Sequence, residues 1–244
     1  MSEPTPSPAT ASPTVDVVIP AYNEEASLPL VLAEIPHPPV RRVVVADNNS
    51  TDRTAEMARD GGAVVVPAQI QGYGSACLAA LDHLRQNDPP AIVVFLDADY
   101  SDHPDELPRV IAPILENRAD MVIGSRVLGT RERGALLPQA RAGNIIATVL
   151  IRIFYGHQYT DLGPFRAIRW DAYERLAMGD PDFGWTAEMQ VKALRHDLRV
   201  MDVPVSYRKR VGVSKITGTI RGTILAGYKI LWTVFRHAFS RSTR

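Results

Sequence analysis

One cysteine, Cys77, stands among the 244 residues, so no internal disulfide can form. That usage suits a reducing cytoplasm and predicts Cys77 as a buried small apolar side chain. No stretch reaches the roughly 18 uncharged apolar residues that argue for a spanning helix, so anything done at a membrane is done from its surface. Excess charge is missing too. Lys+Arg and Asp+Glu are each 27, which leaves no global field to gather nucleic acid, and any anion site must be local. The first apolar run leads into "PAYNEEAS" and not into a glycine-rich phosphate turn. "GYGSAC" at 72–77 lacks the third glycine and sits in the wrong unit, so a dinucleotide-dependent oxidoreductase is set aside. A nucleotidyltransferase would want the same missing loop, and a P-loop is absent. The six histidines are scattered without metal-ligand spacing.

What is present is a repeating unit. After "MSEPTPSPATASPT" (1–14), a Pro-, Ser- and Thr-rich stretch without a secretory signal's basic start or apolar centre and read as a disordered tail, short Val/Ile runs alternate with helical segments. The runs are "VDVVIPAY", "RRVVVADN", "AVVVP", "AIVVFLDAD" and "MVIGS". Runs so uniformly apolar fit strands covered on both faces, and strand followed by helix, four times over, predicts an open, mostly parallel α/β sheet. Ser50 or Thr51 is the expected N-cap of the second helix, and Pro104 suits a first turn. The second half is less regular, with expected helices over 137–156 and 185–196, strands in "PFRAIRW" and "RVMDVPVSYRK", and an amphipathic helix closing the chain.

The fourth run ends in "FLDADYSDHPDEL" (95–107). Ligands of open α/β sheets bind beyond the carboxyl ends of the strands, where Asp97 and Asp99 fall. Residues i and i+2 of a strand share a side, so both carboxylates can face one ligand, with Ala98 small enough to admit a ring or ribose. Two neighbouring carboxylates repel unless a cation or hydrogen-bond donors compensate, and hard oxygen ligands suit Mg²⁺ or Mn²⁺. The plainer alternative is a pair of helix-capping acids, although Asp102 or Asp105 could cap without Asp97. The other strand ends carry Pro20, Tyr22, Asn23, Glu24 and Asp47, a polar rim suited to the base, ribose and diphosphate of a nucleotide.

"VVIPAYNEEASL", "VVVADNNSTDRT", "FLDADYSDHPDEL" and "MVIGSR", in this order, resemble the GT-A fold glycosyltransferases of family 2. "YTDLGPFRAIRW", "WTAEMQVKA" and "VPVSYRKRVGVSKITGT" narrow the likeness to the branch of dolichyl-phosphate mannose synthases and bacterial polyprenyl-phosphate glycosyltransferases. The resemblance spans about Val15 to Thr219. It implies donor-nucleotide contacts from Pro20, Tyr22, Glu24, Val45 and Asp47, a metal motif at Asp97 and Asp99, and phosphate partners in Arg126, Arg210 and Lys215. Departures bear on base preference and metal geometry: "ADNNSTD" lacks the usual second acid and glycine, Ser101 stands where many relatives carry a metal-completing Gln, and Val213 replaces a glycine.

The resemblance further implies a domain over 15–215, with 216–244 as a C-terminal amphipathic helix. The expected reaction is inverting transfer of a hexose from GDP-mannose or UDP-glucose to a polyprenyl phosphate at the cytoplasmic face of the membrane. A phosphate nucleophile is already anionic at neutral pH, whereas a sugar hydroxyl needs a positioned base. Asp161 in "YTDLG" and Glu188 in "WTAEMQ" are the candidate catalytic carboxylates, with a turn former and a structural helix residue as their respective alternatives. Transfer to a hydroxyl, or nucleotide-sugar binding without catalysis, are the competing functions. Residues 145–155 and the terminal helix are either core-packed or interfacial. In the second case Arg152, Lys229, Arg236 and Arg241 meet anionic headgroups, and Trp232, Phe235 and Phe239 meet the acyl boundary.

Overall fold

Seven strands form one sheet in the order β3-β2-β1-β4-β6-β5-β7. The structure is a computed structural model that describes residues 12–212 and 220–239; of the expected tail and site residues, 1–11, Val213, Lys215 and Arg241 lie outside them. Strands β1 (Val15–Ala21), β2 (Val40–Asp47), β3 (Val64–Pro67) and β4 (Ile92–Phe95) are mutually parallel. β5 (Met121–Ser125) and β7 (Val200–Pro204) run parallel to each other, and β6 (Arg166–Arg169) is antiparallel to both β4 and β5. The expected mostly parallel sheet is present, with one reversed strand inserted.

Alternation along the strands divides the apolar residues between two cores. Val17, Ile19, Val43, Val45, Ile92 and Val94 face α1 (Leu28–Glu34) and α4 (Leu107–Leu115). Val18, Val44, Val93 and Phe95 face the other layer, which includes α3 (Tyr73–Gln86), α5 (Pro138–Tyr155) and α7 (Trp185–Arg195). Cys77 lies in that second core, fully buried, as its composition suggested. The remaining helices are α2 (Thr54–Asp60), α6 (Trp170–Leu176) and α8 (Ile220–Phe239); α8 packs on α5 and α7.

Two expectations change. The N-cap of α2 is neither Ser50 nor Thr51: the helix starts at Thr54, whose backbone N–H and hydroxyl both donate to Asp52 Oδ1, at 3.0 and 2.5 Å. Ser50 and Thr51 serve the neighbouring loop instead. Asn23 N–H donates to Ser50 Oγ (3.0 Å), Thr51 N–H to Asn23 Oδ1 (2.8 Å) and Glu24 N–H to Thr54 Oγ1 (2.7 Å), so the turns after β1 and β2 are one cross-linked rim. The fourth strand, moreover, pairs only to Phe95, so strand alternation does not orient Asp97 and Asp99. They occupy a turn whose Tyr100 adopts φ 64°, a left-handed conformation costly for an aromatic residue.

The "GYG" that failed as a phosphate loop has a packing role. A Cβ on Gly74 would lie 2.0 Å from the Asp180 carbonyl oxygen, and one on Gly72 2.3 Å from that of Pro181. Ser75 seals the approach, its N–H and hydroxyl donating to the Pro181 carbonyl at 2.8 and 3.0 Å. Gly74→Ala therefore forces backbone to move, and we expect a loss of about 1–3 kcal/mol in denaturant melts. Gly143→Ala, in a helix with nothing within 4 Å of the new methyl, is expected to gain up to about 1 kcal/mol.

Candidate active site

A cavity of about 410 Å³ opens at the carboxyl ends of β1 and β4. Pro20, Tyr22 and Glu24 line one wall and Asp97, Ala98, Asp99 and Arg210 another. These seven expected residues meet in one place although up to 190 positions separate them in sequence. Asp47 closes β2 beside this wall, half-buried, its carboxylate accepting the Ser50 N–H at 3.3 Å. Val45 is different: it is fully buried in the α1/α4 core and is not among the residues lining the cavity, because it sits inside β2, short of the strand end that reaches the rim.

Asp99 is the best-connected acid. Its Oδ1 accepts the Ser101 N–H (2.9 Å) and hydroxyl (2.5 Å), and Oδ2 pairs with Arg210 at 2.8 Å. The Val211 N–H holds the Asp99 carbonyl at 3.0 Å, so the backbone of the "YRKR" segment is tied to the acidic turn. Arg208 stacks 3.4 Å over the Tyr100 ring and pairs with Glu34, which explains how the strained tyrosine is retained. Asp97 accepts from the Tyr73 hydroxyl at 3.1 Å. Burial, and then the charge of Asp99, push its carboxyl up to about 7, with Arg210 opposing.

Asp102 completes an acid excess. Its carboxylate is buried with no hydrogen-bond partner, and burial together with Asp97 and Asp99 holds its pKa well above the ordinary carboxylate range. An unpartnered buried carboxylate costs several kcal/mol if charged, so Asp102 stays protonated unless a cation comes close to it. Among the described residues no three His, Cys, Asp or Glu side chains converge as a complete ligand set. Asp97 and Asp99 are the residues that would hold a Mg²⁺ or Mn²⁺ ion here, and substrate phosphate or water would have to supply its other ligands.

The two candidate bases are engaged elsewhere. Asp161 is fully buried and forms a bidentate pair with Arg126 (Nε–Oδ2 2.8 Å, Nη2–Oδ1 2.7 Å), besides accepting the Arg126 N–H at 2.8 Å. That pair raises the guanidinium's pKa against the effect of burial, and it turns Arg126 toward Asp161 and the Tyr207 ring. Glu188 is buried in α7 and accepts from Gly179 N–H (3.2 Å) and Asp180 N–H (2.8 Å) while pairing with Lys192 at 2.8 Å. Neither carboxylate lines the cavity. Glu188 fixes the 179–184 loop, which brings in lining residues that sequence reasoning missed, Asp182 and Phe183. Also missed was Asn48, whose amide pins Ala68 O (3.1 Å), Ile70 O (2.7 Å) and Gly72 N–H (2.8 Å) beside the cavity. The only advance signals were the unexplained "GYG" and the Asn standing where relatives carry an acid.

The raised carboxyls fix a pH dependence. Asp97 is protonated in the folded state and ionised in the unfolded chain between its ordinary value of 3.8 and about 7, so folding takes up a proton there and stability falls as pH rises through that window. Asp102 adds in the same direction. The lowered carboxyls, Glu34, Asp52 and Asp120, act below the ordinary carboxylate values and do not oppose this, whereas His196 and His237, both lowered by burial, oppose it up to their ordinary 6.5. In EDTA, thermal melts should show stability falling between about pH 6.5 and about pH 8, above the range in which the histidines oppose, and Asp97→Asn should flatten the slope. Added Mn²⁺ should stabilise more at the higher pH; a wild-type slope retained by the variant would contradict this electrostatic account.

Comparison with known proteins now bears on the site. Residues 16–177 match the family description "Glycosyl transferase family 2". An uncharacterized glycosyltransferase of Mycobacterium tuberculosis is 39% identical over 219 residues, 88% of this chain and 95% of that protein. Polyprenol monophosphomannose synthase of Mycolicibacterium smegmatis is 31% identical (87% of this chain, 85% of that one). Dolichyl-phosphate hexose transferase of Haloferax volcanii is 32% identical (82% and 85%). Among solved structures, glucosyl-3-phosphoglycerate synthase from Mycobacterium tuberculosis, in complex with Mn²⁺, UDP-glucose and phosphoglyceric acid, aligns with a TM-score of 0.75 at 21% identity over 96% of this chain and 82% of that one. The chain belongs to glycosyl transferase family 2 and is a glycosyltransferase of the GT-A fold.

Proposed function

We propose that the enzyme transfers a hexose, with inversion, from a nucleotide sugar such as GDP-mannose or UDP-glucose to a polyprenyl phosphate, working as a peripheral protein at the inner face of the cell membrane. Residues 15–215 form the catalytic domain in this reading, and 216–244 a surface helix. The observation that carries the acceptor class is the engagement of both candidate bases: Asp161 is committed to Arg126, and Glu188 to the Gly179 and Asp180 amides and Lys192. An acceptor that must be deprotonated finds neither of them available, whereas a phosphate monoester, with its second pKa of about 6, arrives as a nucleophile. The names of the mycobacterial and haloarchaeal relatives support the same class.

Pro20, Tyr22 and Glu24 would receive the nucleoside, Asp47 at the rim would contact it, and Ala98 would leave room for the ribose. Asp97 and Asp99 would hold Mg²⁺ or Mn²⁺, which when bound supplies charge to stabilise the departing diphosphate. Mn²⁺ in the complexes of the structural neighbour supports that choice. Arg210, now paired with Asp99, can exchange the carboxylate for a phosphate oxygen, and Lys215 is the second cation in this reading. Arg126 and Asp161 act as a buried pair that sets the rim rather than as a phosphate ligand and a base. Tyr73 orients Asp97.

A second reading has its own observation. Asp182 lines the cavity, and burial, then the charge of Asp180, raise its carboxyl against the pull of Lys229, as suits a base for a hydroxyl acceptor. Release of GDP or UDP should be followed with short polyprenyl phosphates, offering GDP-mannose and UDP-glucose in parallel with and without chelator. Acceptor-dependent release that EDTA abolishes is expected, with kcat down about 10²–10³-fold in Asp99→Asn and within about tenfold of wild type in Glu188→Gln and Asp182→Asn. If Asp182→Asn abolishes turnover with donor binding intact, the hydroxyl reading replaces this one.

A further inference from the structure

The outward faces of α5 and α8 carry a continuous apolar ridge. Ile145, Val149 and Ile153, at positions i, i+4 and i+8 of α5, are 58, 48 and 67% exposed, while Ala147 and Ile151 on the other side are buried. Tyr228, Trp232 and Phe235, at i, i+4 and i+7 of α8, are 65, 51 and 38% exposed, with Thr233 and Val234 buried. An edge-to-face contact between Phe154 and Phe235, centroids 5.3 Å apart, joins the two stripes. Eight of the fourteen large apolar side chains exposed among the described residues lie on these two helices, so this is one patch and not a scatter.

The acidic and basic side chains of the two helices are of one sign. Neither helix contains an Asp or Glu, and Arg141, Arg152 and Arg236 stand exposed on them. Among the described residues no helix is long and apolar enough to cross a membrane. An apolar stripe with aromatic residues, bordered by arginines and free of acids, has the chemistry of a face that lies in the headgroup region of an anionic bilayer. A partner protein of mixed charge would leave the arginines without a matching surface.

The opposite side of α8 reaches the cavity wall. Lys229 pairs with Asp180 at 3.2 Å, and a Cβ on Gly184 would lie 2.6 Å from Thr233 Oγ1. These contacts hold the loop whose Asp182 and Phe183 line the cavity. One helix thickness, about 10 Å, thus separates the ridge from the loop that shapes the donor site.

We infer that the α5/α8 ridge docks on an anionic phospholipid surface, burying Ile145, Val149, Ile153 and Trp232 at the acyl boundary with Arg152 and Arg236 among the headgroups. The inference deepens the lipid-acceptor reading by naming the surface that meets the bilayer, and its test uses no polyprenyl phosphate, so the two can fail separately. Wild-type protein should sediment with phosphatidylcholine vesicles containing phosphatidylglycerol, and much less with pure phosphatidylcholine. Val149→Ser/Ile153→Ser/Trp232→Ser should lose at least about tenfold in vesicle partition while binding UDP with Mn²⁺ as wild type does. Arg152→Glu/Arg236→Glu should lose the preference for anionic vesicles alone. Wild-type protein that stays in the supernatant with both vesicles, or a triple-serine variant that sediments like wild type, would overturn the inference. So would a wild-type dimer in light scattering that the triple-serine variant converts to monomer without vesicle binding, since a second copy would then cover the ridge.

Discussion

Two carboxylates stand in the turn that follows the central strand β4, and their repulsion organises the rim. Asp97 and Asp99 follow a strand buried on both faces and line a concave site, Asp97 half-buried and Asp99 buried, so water screens them less than on an open surface. The protein answers with Arg210 and the Ser101 donors on Asp99 and the Tyr73 hydroxyl on Asp97, and leaves Asp102 without any donor. Protonation balances the remaining charge at low pH. In the proposed reading a divalent cation would balance it at neutral pH and would supply the charge that stabilises a departing diphosphate. Stability without metal and competence for catalysis therefore pull in opposite directions at the same three side chains.

Such a field is useful only if the surrounding loops hold still, and the structure fixes them by joining segments distant in sequence. Asn23 and Glu24 are bonded to Ser50, Thr51 and Thr54, Asn48 ties the end of β2 to residues 68–72, and the glycines at 72 and 74 admit the 180–181 backbone. Glu188 then fixes that loop from below and Lys229 from the side. The individual hydrogen bonds are worth about 0.5–1.5 kcal/mol apiece, but together with the glycine packing and the Lys229 ion pair they fix the cavity walls relative to one another.

The parallel strands were legible because burial on both faces demands unbroken Val/Ile runs, and the acidic turn because few other reasons put Asp-Ala-Asp after such a run. Lining residues on two loops could be read as well: Pro20, Tyr22 and Glu24 follow from the polar end of β1, and Asp97, Ala98 and Asp99 from β4. Other features depend on long-range partners that a linear reading does not supply. Asp161 resembles a free carboxylate until Arg126, 35 residues away, is placed against it, and Glu188 resembles a base until the Gly179 and Asp180 amides arrive. Val45 looked like a rim residue by its position in a motif, but it lies within a strand covered on both faces, short of the end that reaches the rim. The orientation of α5 was out of reach because apolar residues lie on nearly all of its sides, so periodicity does not mark which ones face inward.

The placement of α8 connects these levels. A helix that only covered the core would not need Lys229 and Thr233 against the 180–184 loop on one side and an acid-free aromatic stripe on the other. An acceptor with a charged phosphate and a long apolar chain poses opposed solvation problems: the phosphate must reach a polar cavity while the chain stays out of water. A single helix with a lipid-compatible outer face and an inner face touching the cavity loop meets both requirements at once. If the acceptor is of that class, α8 would belong to the catalytic architecture, and a division between catalytic domain and surface helix would follow the sequence more closely than the chemistry.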